Sequence, residues 1–153
     1  TNECWEETIN TNIKGAFYLT KIIIKSMLKN KSGSVVNISS IAGISGMRDR
    51  FAYLVSKTAL IGFTKSIAVD YGKQNIRSNC ICPGYIKTPL TQNYLASLSQ
   101  SSYDKLNQQH FLKGIGGTKD VSNLVSFLLS ERSNWITGTV IPIDGGYTLG
   151  ANL

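Results

Sequence analysis

Phe51-Ala52-Tyr53-Leu54-Val55-Ser56-Lys57 opens an apolar run of helical length, 51–73, and the reading of the chain turns on it. Tyr53 and Lys57 stand four apart, so on a helix they share one face, one turn from each other. A free phenol titrates near about 10 and is a poor proton donor or acceptor at neutral pH. An ammonium one turn away favours its ionised form. Such a pair can act as a general acid and base, although the same spacing is common on solvated helix faces.

The neighbouring segments decide between those readings. Ser40 lies thirteen residues before Tyr53, just after the strand-like run Ser34-Val35-Val36-Asn37-Ile38-Ser39. Asn12 sits in Asn12-Ile13-Lys14-Gly15 on the preceding helix, and the strand after helix 51–73 runs into Pro83-Gly84-Tyr85-Ile86-Lys87-Thr88. In order and spacing, this set resembles the classical short-chain dehydrogenase/reductase family. Thr137-Gly138-Thr139-Val140-Ile141-Pro142-Ile143-Asp144-Gly145-Gly146 is similar to that family's closing strand. The resemblance runs through nearly the whole chain.

Around these motifs, helices alternate with strands: helix 3–29, strand 34–39, loop 40–50, helix 51–73, strand 76–82, a helix from Thr118, and a strand at 139–143. Cations and Gly33 are expected to close the first helix, and Thr118 to cap the last. The alternation predicts α/β architecture, a parallel sheet flanked by helices. Residues 89–117 are rich in Ser, Gln and Asn, with periodicity for one short helix over Leu90, Tyr94, Leu95 and Leu98; they read as a lid over a substrate site.

Nowhere does a strand run into a glycine-rich phosphate loop, and Gly114-Ile115-Gly116-Gly117 follows the lid instead. The resemblance therefore implies the C-terminal part of a doubly wound Rossmann-like domain, with the glycine-rich half upstream. In that fold the strand at 34–39 would pair with a further strand before Thr1.

The 153 residues are enough for one domain with a core, and 42% hydrophobic with 16% charged residues argues for a globular chain. No apolar stretch approaches a membrane span. The net charge of +7 is spread along helices with no nucleic-acid motif, which favours a solvated basic surface over a nucleic-acid partner. Three cysteines make no simple disulfide set and suggest a reducing, cytoplasmic setting; Cys80 and Cys82 are expected on opposite strand faces, unable to pair. No cluster suggests a metal site.

The resemblance implies roles. Tyr53 is the acid/base; Lys57 supports it and holds the nicotinamide ribose; Ser40 polarises the substrate oxygen, with Ser39 the structural neighbour. Asn12, through a backbone kink and a bound water, joins Lys57 to solvent as a proton relay. Ile86 and Thr88 would hold the nicotinamide carboxamide, and Pro83 and Gly84 would let the chain pass close to the ring. Tyr85 and Tyr94 are candidate substrate-wall residues, and His110 is expected to be an exposed lid residue. The implied activity is interconversion of a secondary alcohol and a ketone with NAD or NADP, in a homodimer or homotetramer built through helices 3–29 and 51–73. A 3-oxoacyl-carrier-protein reductase, or an inactive fragment or assembly module, are the alternatives.

Overall fold

The computed structural model describes residues 1–150. Its centre is a parallel sheet of three strands, β1 (Gly33–Ile38), β2 (Ile76–Pro83) and β5 (Val140–Ile143), in the order β1-β2-β5. Gly33 to Ile38 pair in register with Ile76 to Ile81, and Cys80 to Pro83 with Val140 to Ile143. Being central, β2 is covered on both faces: Ile76, Ser78, Asn79, Cys80, Ile81 and Cys82 are fully buried.

Helices α2 (Gly15–Asn30) and α3 (Phe51–Tyr71) cover one face, and α1 (Asn2–Ile9) packs against α3. There Ile24, Val35, Ile67 and Ile76 form the core, flanked by Ile23, Met27, Phe63 and Tyr71. Helix α6 (Thr118–Leu129) packs on the sheet through the fully buried Leu128. Its C-terminal carbonyls are satisfied from the strands. The Leu128 carbonyl accepts from Ser34 Oγ at 2.8 Å and from Arg77 Nη1 at 2.9 Å. Buried Asn79 locks the approach to β5, donating to the Ile136 carbonyl at 2.9 Å and accepting from Thr139 N.

Several local expectations are corrected. The first helix is not uniform: a π-turn, Asn10–Lys14, separates α1 from α2, and Asn12 lies within it. Lys31, in the left-handed conformation, closes α2, while Gly33 is already strand and lies against the Met27 side chain. The segment after β2 has more order than its composition suggests. A two-residue strand β3 (Ile86–Lys87) pairs with β4 (Gly116–Gly117), and between them stand two helices, α4 (Pro89–Ser97) and α5 (Gln100–Gln108). Ser99 caps α5 by accepting from Ser102 N, so the polar run is a helix held at its start and not a loop. Thr118 is the first residue of α6, and the capping carboxylate is Asp120, which accepts from Gly117 N at 2.7 Å. Cys80 and Cys82 share a face, as residues two apart on a strand must.

Candidate active site

The carboxyl ends of β1 and β2, where open α/β sheets place their ligands, carry a cavity of about 500 Å³. Ser40, Tyr53 and Lys57 line it together with Pro83, Gly84, Ile86 and Thr88. Residues scattered over nearly fifty positions thus meet in one space, because parallel strands return their carboxyl ends to the same side.

The first two turns of α3 present Tyr53 and Lys57, with Lys57 Nζ 5.6 Å from the centre of the Tyr53 ring. The ammonium also donates to the Ile38 carbonyl at the end of β1, at 3.1 Å. Burial pushes the Lys57 ammonium below its ordinary value, and the nearby thiols of Cys80 and Cys82 work against that shift. Those thiols interact beneath it. The hydrogen bond from Cys82 draws the Cys80 thiol down to about 7, and Cys82 is pushed up by that same hydrogen bond and by burial.

The two adjacent serines divide their tasks. Ser39 Oγ donates to the Lys57 backbone carbonyl at 2.7 Å, pinning α3 to the end of β1. Ser40 Oγ accepts from Ala42 N at 3.1 Å, which leaves its own proton for the cavity. Asn12 stands on the π-turn, and its side chain bonds to α3. Its Nδ2 donates to the buried Ser56 Oγ at 3.0 Å, and Ser56 Oγ in turn donates to the Tyr53 carbonyl at 2.7 Å, so the π-turn is tied to the turn that bears Tyr53.

Gly84 has a packing reason to be glycine. An added Cβ would stand 2.8 Å from Asp144 Cβ, so the close approach is to the chain leaving β5. Thr88 caps α4, accepting from Thr91 N at 3.2 Å, with Pro89 at the first helical position.

Tyr85 and Tyr94 stand apart from the cavity that holds Tyr53. They stack on each other at 6.3 Å between ring centres, and Tyr85 also meets Tyr147 at 5.5 Å and His110 at 6.2 Å. Burial and the neighbouring tyrosines push the Tyr85 hydroxyl up to about 12. The expectation of an exposed His110 is overturned. It is 4% exposed, Nδ1 contacts the Leu106 carbonyl at 2.9 Å, and Nε2 has no partner. This aromatic group fastens the lid to the chain after β5, where Leu112 N also donates to the Gly145 carbonyl.

Leu90, Thr91, Val121, Ser122 and Val125 also line the cavity. None was singled out for the site from sequence. Val121, Ser122 and Val125 belong to the helix expected from Thr118, and its packing beside the site could not be read from the sequence. The apolar wall, the Thr88 hydroxyl and the Lys57 ammonium suit the nicotinamide end of a dinucleotide. Among the described residues lining the cavity, no glycine-rich run forms a cradle for its phosphates. Among the described residues there is no group of three His, Cys, Asp or Glu side chains fit to hold a metal, and no helix long and apolar enough to cross a membrane.

A family model described as enoyl-(acyl carrier protein) reductase matches residues 1–148. The chain belongs to the short-chain dehydrogenase/reductase family. It is 36% identical over 147 residues to the 3-oxoacyl-[acyl-carrier-protein] reductase FabG of Thermotoga maritima, covering 96% of this chain and 58% of that protein. Identity to dehydrogenase/reductase SDR family member 4 of Homo sapiens is also 36%, over 95% of this chain and 52% of the relative. Among solved structures, ElxO with NADP bound superposes with a TM-score of 0.89 at 38% identity, covering 97% of this chain and 60% of that one. The 4-hydroxyisoleucine dehydrogenase complexed with NADH gives 0.91 at 35% identity, covering 98% and 61%. The chain thus spans little more than half the length of these relatives and corresponds to their C-terminal part.

Proposed function

We propose that the protein to which this chain belongs interconverts a secondary alcohol and a ketone with NAD or NADP. The observation that carries the reading is the single cavity in which Ser40, Tyr53, Lys57 and Thr88 meet. The cofactor, when bound, supplies the hydride acceptor or donor. Within the chain, the Tyr53 hydroxyl gives or takes the proton at the substrate oxygen. The Ser40 proton points its hydrogen bond to the same oxygen and favours the charge that grows there. Lys57 stands beside the Tyr53 ring and holds the nicotinamide ribose, while the Ile86 amide and the Thr88 hydroxyl hold the carboxamide. Asn12 acts through Ser56 on the turn that presents Tyr53.

Substitution of Tyr53 by Phe in the complete protein tests this. Turnover should fall by at least about a hundredfold, as for the loss of a general acid/base, with the melting temperature unchanged. Turnover near that of the natural protein would remove Tyr53 from the chemistry. Lys57→Ala should lower turnover and weaken cofactor binding together.

A narrower reading, reduction of a 3-oxoacyl group on a carrier protein, is supported by relatives of that name at 36–39% identity. It predicts that carrier-linked substrates outcompete small ketones. Assembly as a homodimer or homotetramer is supported by the exposed apolar side chains on α2 and α3, Phe17, Tyr18, Leu19, Ile22, Phe51 and Val69. On that reading the chain by itself serves assembly and is inactive without the rest of the dinucleotide site. The free thiols fit a cytoplasmic setting.

A further inference from the structure

Two thiols that the reaction does not use lie beneath Lys57. Strand register sets Ile81 opposite Ile38, whose carbonyl receives the Lys57 ammonium at 3.1 Å, so Cys80 and Cys82 flank the point where that charge is held. Their side chains face α3. Asn37, the register partner of Cys80, donates to Thr64 Oγ1 on α3 at 2.9 Å, and Ser39, next along the same face, donates to the Lys57 backbone carbonyl. Both cysteines are fully buried.

The neighbouring donors are committed elsewhere. Ser39 Oγ gives its proton to the Lys57 carbonyl at 2.7 Å, Thr64 Oγ1 gives its own to the Leu60 carbonyl at 2.8 Å, and Ser39 N donates to the Ile81 carbonyl. A carbonyl only accepts, so the direction of each bond is settled. The remaining walls are apolar: Val140 and Pro142 stand opposite Cys80 and Cys82 on β5, and Ile41 and Ala42 are buried in the turn after Ser40. Among the charged groups on the packed elements, Lys57 holds this position, with Tyr53 beside it. Lys65 and Asp70 are exposed farther along α3, and Arg77 bonds to α6 at the other end of β2. Burial alone would keep such a thiol protonated. The Cys82 hydrogen bond acts the other way on Cys80, and so does an ammonium held above it. The influence is mutual: burial pushes the Lys57 ammonium down, and Cys80 is the first of the thiols opposing that shift.

We propose that Cys80 is a positioning residue: its thiolate is the buried counter-charge that keeps Lys57 an ammonium. The Cys80 proton passes to solvent, while Cys82 keeps its own and donates to the Cys80 sulfur. What Lys57 does in turnover is taken from the reading above; the charge pair itself rests on the strand register and the contacts of Lys57. The ultraviolet absorbance of the thiolate is titrated on the complete, reduced protein, with melting temperatures recorded beside it. Subtracting the Cys80→Ser curve isolates the Cys80 thiol, which should ionise near about 7, below the free-thiol value of about 8.5. In Lys57→Met that step should move up by about one pH unit or more, the effect of removing a nearby charge from a protein interior. Cys82→Ser keeps a donor and should keep the step. In Cys80→Ser and Cys80→Ala the alkaline limb of kcat/KM should move down by a similar amount, because Lys57 then loses its proton at lower pH.

A natural protein with no thiolate step below about 8.5, or a step that Lys57→Met leaves in place, overturns the proposal. So does a step lost in Cys82→Ser and kept in Cys80→Ser, or an alkaline limb unmoved in both folded Cys80 variants. Should neither Cys80 variant fold, Lys57→Met, which keeps both thiols, is compared directly with the natural protein and still decides the coupling. The titration needs no turnover, so an active Tyr53→Phe would remove the reading of the site and leave the charge pair to stand or fall by itself.

Discussion

Gly43 is the most demanding small residue near the site, and replacing it with alanine measures how α3 is held to the end of β1. The residue sits in the turn after Ser40, wedged against the backbone of α3. A Cβ there would stand 2.6 Å from Ser39 Oγ, 2.9 Å from the Lys57 carbonyl oxygen and 3.0 Å from its carbon. Two of those atoms are backbone, so the neighbours cannot simply swing aside. They are also the two partners of the Ser39–Lys57 hydrogen bond at 2.7 Å. Losing that bond costs about 1 kcal/mol, and the overpacking about 1–3 kcal/mol. The sum of about 2–4 kcal/mol leaves a domain of ordinary stability, about 5–15 kcal/mol, still folded. In urea, with a slope of about 1–3 kcal/mol per molar, the midpoint should fall by roughly 1–2 M. Turnover should fall too, because Lys57 moves with its carbonyl. Gly46→Ala is the control: nothing lies within 4 Å of its added Cβ, so its midpoint should hold or rise slightly. Gly43→Ala no more destabilised than Gly46→Ala would refute the wedge.

Three further outcomes follow from particular contacts. Burial acts to raise the Asp144 carboxyl, but hydrogen bonds from Thr148 and Gly146 outweigh it and hold the group below its ordinary value. Its stabilisation is therefore complete above the unfolded value of about 3.9 and disappears as pH falls through the lower folded one; Asp144→Asn should lower the melting temperature at pH 7, and the gap should narrow below about pH 4. Hydrogen exchange should divide the lid: α4 buries no side chain and should exchange fast, whereas 106–116, held by Leu106, His110 and the Asn107 contact to Ile115 N, should exchange slowly. Uniform exchange across 89–117 would contradict this. Among the described residues β1 pairs on one side only, and Ile38 at its end is 41% exposed, so residues 1–153 expressed alone should self-associate in sedimentation. A monodisperse monomer would show that the edge is protected.

Periodicity and spacing determined a good deal by themselves. The alternation of helices and strands, the one-turn spacing of Tyr53 and Lys57, and the Pro83-Gly84 stop are local properties, written in consecutive residues, and they delivered the sheet, its helices and the family. What tertiary structure alone decided depends on residues that are far apart in the chain. His110 looked like an exposed polar-lid residue, and only the approach of Tyr85 and Tyr147 buried it. The polar run 100–108 lacked an apolar stripe, yet the Ser99 cap and one buried leucine suffice to fold it against the rest. The sequence could not show that Asp144, sixty residues on, also leaves no room for a side chain at Gly84. The role of the Ser56 hydroxyl could not be read from its neighbours in sequence, because it accepts from Asn12, forty-four residues away. A hydroxyl's role is fixed by the donors and acceptors that surround it, and that set exists only after the chain has folded.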